Sequence, residues 1–344
     1  MTGCPRWRRP GLWLLALVVV MPWIPALAGT LGDVRARGRV DCGVADGVPG
    51  FSAADADGNW AGIGADYCRA IAAAILGDAE KVRFVPLPAA SGAAALRAGE
   101  IDVLAGIATW TLRNETEPGI AFAGVIYHDG QALMVRRSLD AQSALELSGT
   151  TICIVGGTAS ETAIADFFRS HGMPYKLMTF ETPEEALRAY EGGGCDVYAA
   201  SALILASELL KLAGPAAHVI LPEQISNEPL APAVRQDDTQ WLGIARWVLF
   251  ALIDAEELGV SKDNAAALAA GGAPPPVKRL LGTEGDFGKP LGLDSDWALR
   301  AIQAVGNYGE LFERNLGPRS GLNIDRGLNH LWNKGGILFA APVR

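Results

Sequence analysis

From Arg39 onward, short apolar runs alternate with longer stretches whose apolar positions recur every three or four residues. Arg39–Val44 reads as a strand, and a loop rich in Gly, Asp and Pro follows from Asp46 to Asn59. Over Gly62–Leu76, Ile63, Tyr67, Ile71 and Ile75 fall on one helical face. Val82–Leu87 and Ile101–Ala105 are further strands, separated by a short helix over Ser91–Ala98 that stops at Gly99. Gln131–Val135 is another strand, after Asp129-Gly130. The rhythm restarts at Ser143: a strand over Thr151–Val155, a Gly156-Gly157-Thr158 turn, a helix to about Arg169, and a strand over Tyr175–Phe180. Pro183–Tyr190 suits a helix with proline in its first turn. Cys195–Ala199 and His218–Leu221 are strands around a helix over Ala202–Leu212. Glu228–Arg235, with two prolines, reads as a connection rather than core. Asp238 then caps an amphipathic helix carrying Trp241, Ile244, Ala245, Val248, Leu249 and Leu252 on one face, with Gly259 as its stop. Gly271 to Pro276 reads as a linker, and helices near Asp296–Val305 and Arg326–Trp332 finish the chain. Such βαβα alternation predicts an α/β protein with open, mostly parallel sheets covered by helices.

The first 28 residues do not share this rhythm. Arg6, Arg8 and Arg9 precede an apolar run from Gly11 to about Ile24, closed by Ala26-Leu27-Ala28. That order of charge, apolar core and small residues predicts a secretory signal cleaved before Gly29. The run is about 14 residues, against roughly 20 for a membrane-crossing helix, and Pro22 and Pro25 interrupt it. The mature protein is therefore expected outside the cytoplasm, in the periplasm. The 344 residues are 50% hydrophobic and 19% charged, with 29 basic against 38 acidic residues, and without the signal the charge falls from -9 to -12. An acidic chain offers no footprint for a phosphate backbone, so nucleic acid is not expected as a partner. Without Cys4, four cysteines are left: Cys42, Cys68, Cys153 and Cys195. In an oxidising compartment they read as two bridges, and sequence alone permits three pairings. The division into two α/β units favours Cys42–Cys68 and Cys153–Cys195.

Signatures of several enzyme and cofactor classes are missing. There is no phosphate loop, and Gly62-Ile63-Gly64 lacks the third glycine of a dinucleotide fingerprint. No GxSxG elbow, HExxH helix or CxxC occurs. His128, His171, His218 and His330 are scattered without ligand spacing. No metal and no cofactor is expected. Asp237-Asp238 and Glu256-Glu257 read as a helix cap and a solvated helix face. The one local feature with binding chemistry is Gly156-Gly157-Thr158-Ala159-Ser160, where free backbone N–H groups, a hydroxyl and a helix dipole converge on a place for an anion.

The chain resembles the periplasmic solute-binding proteins of amino-acid ABC importers (solute-binding protein family 3), specifically the larger general L-amino-acid type. Matching stretches are Val48-Pro49-Gly50-Phe51-Ser52, Asp66-Tyr67-Cys68-Arg69-Ala70, Thr109-Trp110-Thr111-Leu112 and Cys195-Asp196-Val197-Tyr198. The blocks Trp247 to Gly259, Leu280 to Gly288, Val305 to Asn315 and Leu331 to Gly336 continue the match. The resemblance implies a two-lobed periplasmic binding protein fold of type II, joined by crossing segments near Gln131–Arg136 and Glu228–Arg235. Lobe 1 is expected over 29–135 plus 230–344 and lobe 2 over 136–229. It further implies a monomer that closes over an amino acid or amino-acid-like molecule and then meets an ABC permease at the inner membrane.

At the family's ligand contacts this chain departs from its relatives. They hold the α-carboxylate with an arginine from a Thr-x-x-Arg segment, where this chain has Asn114, with Arg113 one residue early. On a helical turn that displaces the side chain by roughly 100°. They hold the α-ammonium with an aspartate placed where this chain reads Ala199-Ala200-Ser201. Asp46 and Arg113 are the candidate replacements. Asp46, Phe51, Thr109, Trp110 and Arg113 from lobe 1, with Thr158, Ser160 and Ser201 from lobe 2, are the candidate ligand contacts. A repurposed fold serving as a periplasmic partner-binding or sensor module is the alternative. An enzyme using Glu161 as its acid is disfavoured, because an acid in a first helical turn is explained by the helix dipole.

Overall fold

In the computed structural model, residues 1–3, 29–45, 47–88, 91–106, 108–116 and 119–344 are described. The secretory-signal reading, Cys4 and the candidate contact Asp46 lie outside the described residues. Helix α1 (Thr30–Arg37) leads into β1 (Val40–Val44), which is buried along its whole length as a strand covered on both faces must be. A hairpin of β2 (Ala53–Ala54) and β3 (Trp60–Ala61) precedes α2 (Ile63–Leu76). Ile63, Tyr67, Ile71 and Ile75 are all buried, as the four-residue spacing predicts, and the Tyr67 hydroxyl donates to the Ala245 carbonyl at 2.7 Å. Strand β4 (Val82–Pro86), α3 (Gly92–Ala98), β5 (Val103–Leu104), α4 (Leu112–Thr116) and β6 (Ile120–Phe122) follow.

The chain then crosses through β7 (Tyr127–Asp129) into a second unit. This holds β8 (Gln131–Arg136), β9 (Thr151–Val155), α5 (Ala159–Ser170), β10 (Lys176–Phe180), α6 (Pro183–Glu191), β11 (Val197–Ser201), α7 (Ala202–Leu209) and β12 (His218–Ile220). It returns through β13 (Glu228–Leu230) to β14 (Ala233–Arg235). Helices α8 (Thr239–Glu257), α9 (Ala265–Ala270), α10 (Pro275–Leu280), α11 (Trp297–Val305) and α12 (Tyr308–Asn315) complete the first unit. The Asp238 carboxylate accepts from the Trp241 N–H at 2.8 Å as the predicted cap, and Gly259 turns left-handed just beyond the end of α8.

Two separate five-stranded sheets result among the described residues, in the orders β4-β1-β5-β14-β6 and β10-β9-β11-β8-β12. The first strand after each crossing, β8 in the second unit and β14 in the first, runs antiparallel within an otherwise parallel arrangement. Each unit closes one disulfide, Cys42–Cys68 between β1 and α2 and Cys153–Cys195 between β9 and the approach to β11.

Four expectations need correction. Gln131–Arg136 is a buried strand of the second sheet, and the passage between units is the antiparallel pair β7–β13. The 230s are not a peripheral connection: Ala233 and Val234 are fully buried between β5 and β6. The two prolines misled that reading, because Pro229 pairs across the passage and Pro232 sits just before the strand, where neither interrupts the ladder of the first sheet. The supposed linker ends in α10, whose prolines occupy first-turn positions where a missing N–H is harmless. Instead of a helix over Arg326–Trp332 there are two single 3₁₀ turns, Gly327–Asn329 and Trp332–Lys334.

Candidate functional site

Both parallel sheets turn the carboxyl ends of their strands into loops, the usual place for ligands in α/β folds. In the first unit, the ends of β1, β4 and β5 meet around Val44, Leu87, Leu104, Gly106 and Ala108, which leave an apolar recess of about 20 Å³. The segment that follows is held by the returning crossover: the Trp110 N–H donates to the Pro229 carbonyl at 2.8 Å, and Thr109 bridges to Leu230. Side chains here divide into committed and available ones. The Trp110 ring stacks on Phe122 with centroids 5.5 Å apart, and its indole N–H donates to Glu115. Asn114, at the arginine position of the Thr-x-x-Arg segment, donates from its carboxamide to the Thr109 carbonyl at 2.7 Å. Arg113 is exposed on α4, and among the described residues no hydrogen bond or ion pair engages its guanidinium. Phe51 is fully buried in the first core, so the structure places it as packing and not at a ligand surface.

In the second unit, Gly157 adopts φ +71°, a left-handed turn that delivers Thr158 in extended conformation to the N-cap of α5. The Thr158 hydroxyl donates to the Val155 carbonyl at 2.7 Å and does not cap the helix, so the first-turn N–H groups have no side-chain acceptor. Ser160 is buried, with its hydroxyl 2.5 Å from Gln131 Oε1. Ser201 caps α7 by accepting from the Ile204 N–H at 3.3 Å. The structure thus seats Thr109 and Arg113 at one sheet's ends and Thr158, Ser160 and Ser201 at the other's. No hydrogen bond joins the two groups among the described residues.

Sequence reasoning missed the acid at the passage itself. Asp129 ends β7, is 3% exposed, and accepts from the N–H groups of Gly130 at 2.9 Å and Leu203 at 3.4 Å. Burial pushes its carboxyl up to about 6, and Glu228, its partner in register on β13, adds to the rise. The bonds from Gly130, Ser201 and Leu203 hold it down in part. The Asp129-Gly130 dipeptide was the available signal: a Cβ at position 130 would sit 2.5 Å from the Ser226 carbonyl, so the crossing chains can approach this closely only at glycine. Glu161 lies exposed in the first turn of α5, as the helix-dipole reading expects.

Residues 40–266 match the bacterial extracellular solute-binding proteins, family 3. The chain is 49% identical over 331 residues to the general L-amino acid-binding periplasmic protein AapJ of Rhizobium johnstonii, covering 96% of this chain and 97% of that protein. It is 46% identical over 319 residues to the glutamate/glutamine/aspartate/asparagine-binding protein BztA of Rhodobacter capsulatus, covering 93% and 94%. A solved ABC transporter periplasmic binding protein from Brucella ovis with glutathione bound superposes with a TM-score of 0.85 at 47% identity, covering 92% of this chain and 100% of that one. The architecture is that of the type II periplasmic binding proteins. Among the described residues no helix is long and apolar enough to cross a membrane.

Proposed function

We propose that this chain, which belongs to the bacterial extracellular solute-binding proteins of family 3, captures an amino acid or amino-acid-like molecule between two lobes and presents it to an ABC permease. In this reading lobe 1 runs from Gly29 to the β7 passage and from β14 to Arg344, lobe 2 lies between, and residues 1–28 are removed on export. The observation that carries it is the uncapped start of α5 beside Thr158, at the strand ends of the second sheet, with the antiparallel β7–β13 pair as the passage between the two units. A carboxylate seated on the α5 N–H groups gains charge-assisted hydrogen bonds and the positive end of the helix dipole. Bending at two short strands lets the lobes close over it. Asn114 and Arg113 set the difference from relatives with Thr-x-x-Arg: the first braces backbone, and the second reaches out from an exposed turn. A ligand with a second acidic group beyond its α-carboxylate would suit that arrangement.

Calorimetric titration with a panel of L-amino acids and glutathione tests the reading. We expect saturable binding by at least one of them, weakened about tenfold in Thr158→Ala, a loss of roughly 1.4 kcal/mol. Silence across the panel would remove the transport reading. The braced, ligand-poor Asn114 would then favour a partner-binding module, checked by capture of a periplasmic protein that small solutes do not displace.

A further inference from the structure

The segments beyond residue 266 pack back onto α8, which lies inside the family match. There α8, α10 and the C-terminal segment enclose a cavity of about 580 Å³, a size typical of small-molecule sites. Its walls are apolar: Leu280 and Pro276 on one side, Trp332 and Phe339 on the other. The two aromatic side chains are 59% and 65% exposed, large rings that face solvent. Set into this apolar wall is Asp254, 6% exposed, whose carboxylate receives a hydrogen bond from the Val343 backbone. A buried carboxylate has room for several donors, and one amide leaves most of its desolvation uncompensated.

The other charges around the cavity do not neutralise it. Glu257, one turn along α8, is a second acid, accepting from the Trp332 indole N–H at 3.1 Å. Arg279 is turned to the Val343 carbonyl at 3.3 Å and to Glu284 at 3.6 Å. Arg344 lines the exposed rim. We propose that this cavity is a second ligand site, sharing no residue with the cleft between the lobes, and that it takes a small organic cation. The cation is an ammonium carried on an apolar body of one or two rings. The ammonium would donate to Asp254 with Glu257 nearby, and the ring system would lie against Trp332 and Phe339, whose faces favour a cation as well as an apolar surface.

The acidity of Asp254 supplies a second readout. Burial first, and then Glu257, raise its carboxyl to about 7. A bound ammonium favours the ionised form, so binding tightens as pH rises and releases a proton where the acid is partly protonated. Between pH 6 and pH 8 the ionised fraction, and with it the association constant, rises roughly tenfold.

Tryptamine is the probe and indole-3-propionate its control of opposite charge, titrated calorimetrically into the full mature chain. The expected result is saturable tryptamine binding that tightens from pH 6 to pH 8, with no binding of the propionate. Asp254→Asn, which keeps shape and removes the charge, should weaken tryptamine at least tenfold. Trp332→Ala, at an exposed position that does not threaten folding, should weaken it severalfold. Neither change should alter binding of an amino acid in the cleft, so failure here is distinguishable from failure of the transport reading. Absence of tryptamine binding, equal binding of the propionate, or equal binding by both variants overturns the proposal.

Discussion

Replacing Cys153 and Cys195 with serine is expected to lower the stability of the second lobe by about 4 kcal/mol, on the chain-entropy account of a loop of this size. The bridge spans 42 residues and ties the middle of β9 to the approach of β11, so it closes a loop containing α5, β10 and α6. The unfolded chain loses most freedom from a link of that length. The second bridge spans 26 residues and is worth about 3.5 kcal/mol by the same account. Because each lobe has its own sheet and apolar cores, the two losses should separate. Urea unfolding followed by fluorescence, with and without reductant, checks this. Beyond residue 28, tryptophans occur only in the segments of the first unit, so their signal should hold while circular dichroism reports early loss of the second. A single transition, shifted alike by either replacement, would show that the lobes unfold as one.

The elements that the sequence made legible are those whose burial is decided locally. Ile63, Tyr67, Ile71 and Ile75 repeat at helical spacing on a face of α2 that is buried, with Tyr67 bonded to α8, and Asp238 sits where α8 needs an acceptor. The second unit was legible for the same reason, each strand being short, apolar and followed by a turn. What escaped depended on contacts between segments far apart along the chain. Nothing in Ala233-Val234-Arg235 announces a central strand, since its place is set by β5 and β6 rather than by its own pattern. Asp129 reads as half of a turn until Glu228 and the start of α7 are brought beside it. Phe51, read as a ligand contact from a loop, is fully buried in the first core. Helix α12 carries a full capping box, Asn307 with Glu310, which was readable in the sequence and passed over.

The largest single-site effect is expected at Arg326, in the C-terminal segment that pattern reading took for a plain helix. Its guanidinium forms a two-pronged ion pair with Glu256, at 2.6 and 2.9 Å, and donates to the Asn329 carbonyl at 2.9 Å. Tyr308 and Phe312 lie beneath it, with ring centroids 5.5 and 5.3 Å away. Both charged side chains are about nine-tenths buried. The 3₁₀ turn that Arg326 supports places Asn329 against β7: the His128 N–H donates to its side-chain oxygen at 2.7 Å, and its amide donates to the His128 carbonyl at 3.0 Å. A residue far along the chain thereby fixes one of the two strands on which the lobes turn. Arg326→Ala strands Glu256 without its partner and should cost about 3–5 kcal/mol, where a surface pair would cost under about 1. The added Glu256→Ala change removes the orphaned charge, so the double variant should be more stable than the sum of the single losses predicts. Lysine at 326 keeps the charge but not the fork, and should recover only part of the loss. Urea unfolding of the parent, Arg326→Ala, Glu256→Ala and the double variant gives the coupling directly, with Arg326→Lys measured beside them. Small-angle scattering without ligand should show a broader spread of lobe separations in Arg326→Ala, because β7 has lost its brace. A loss below about 1 kcal/mol with unchanged scattering would mean that the C-terminal segment merely lies on the crossing strand and does not hold it.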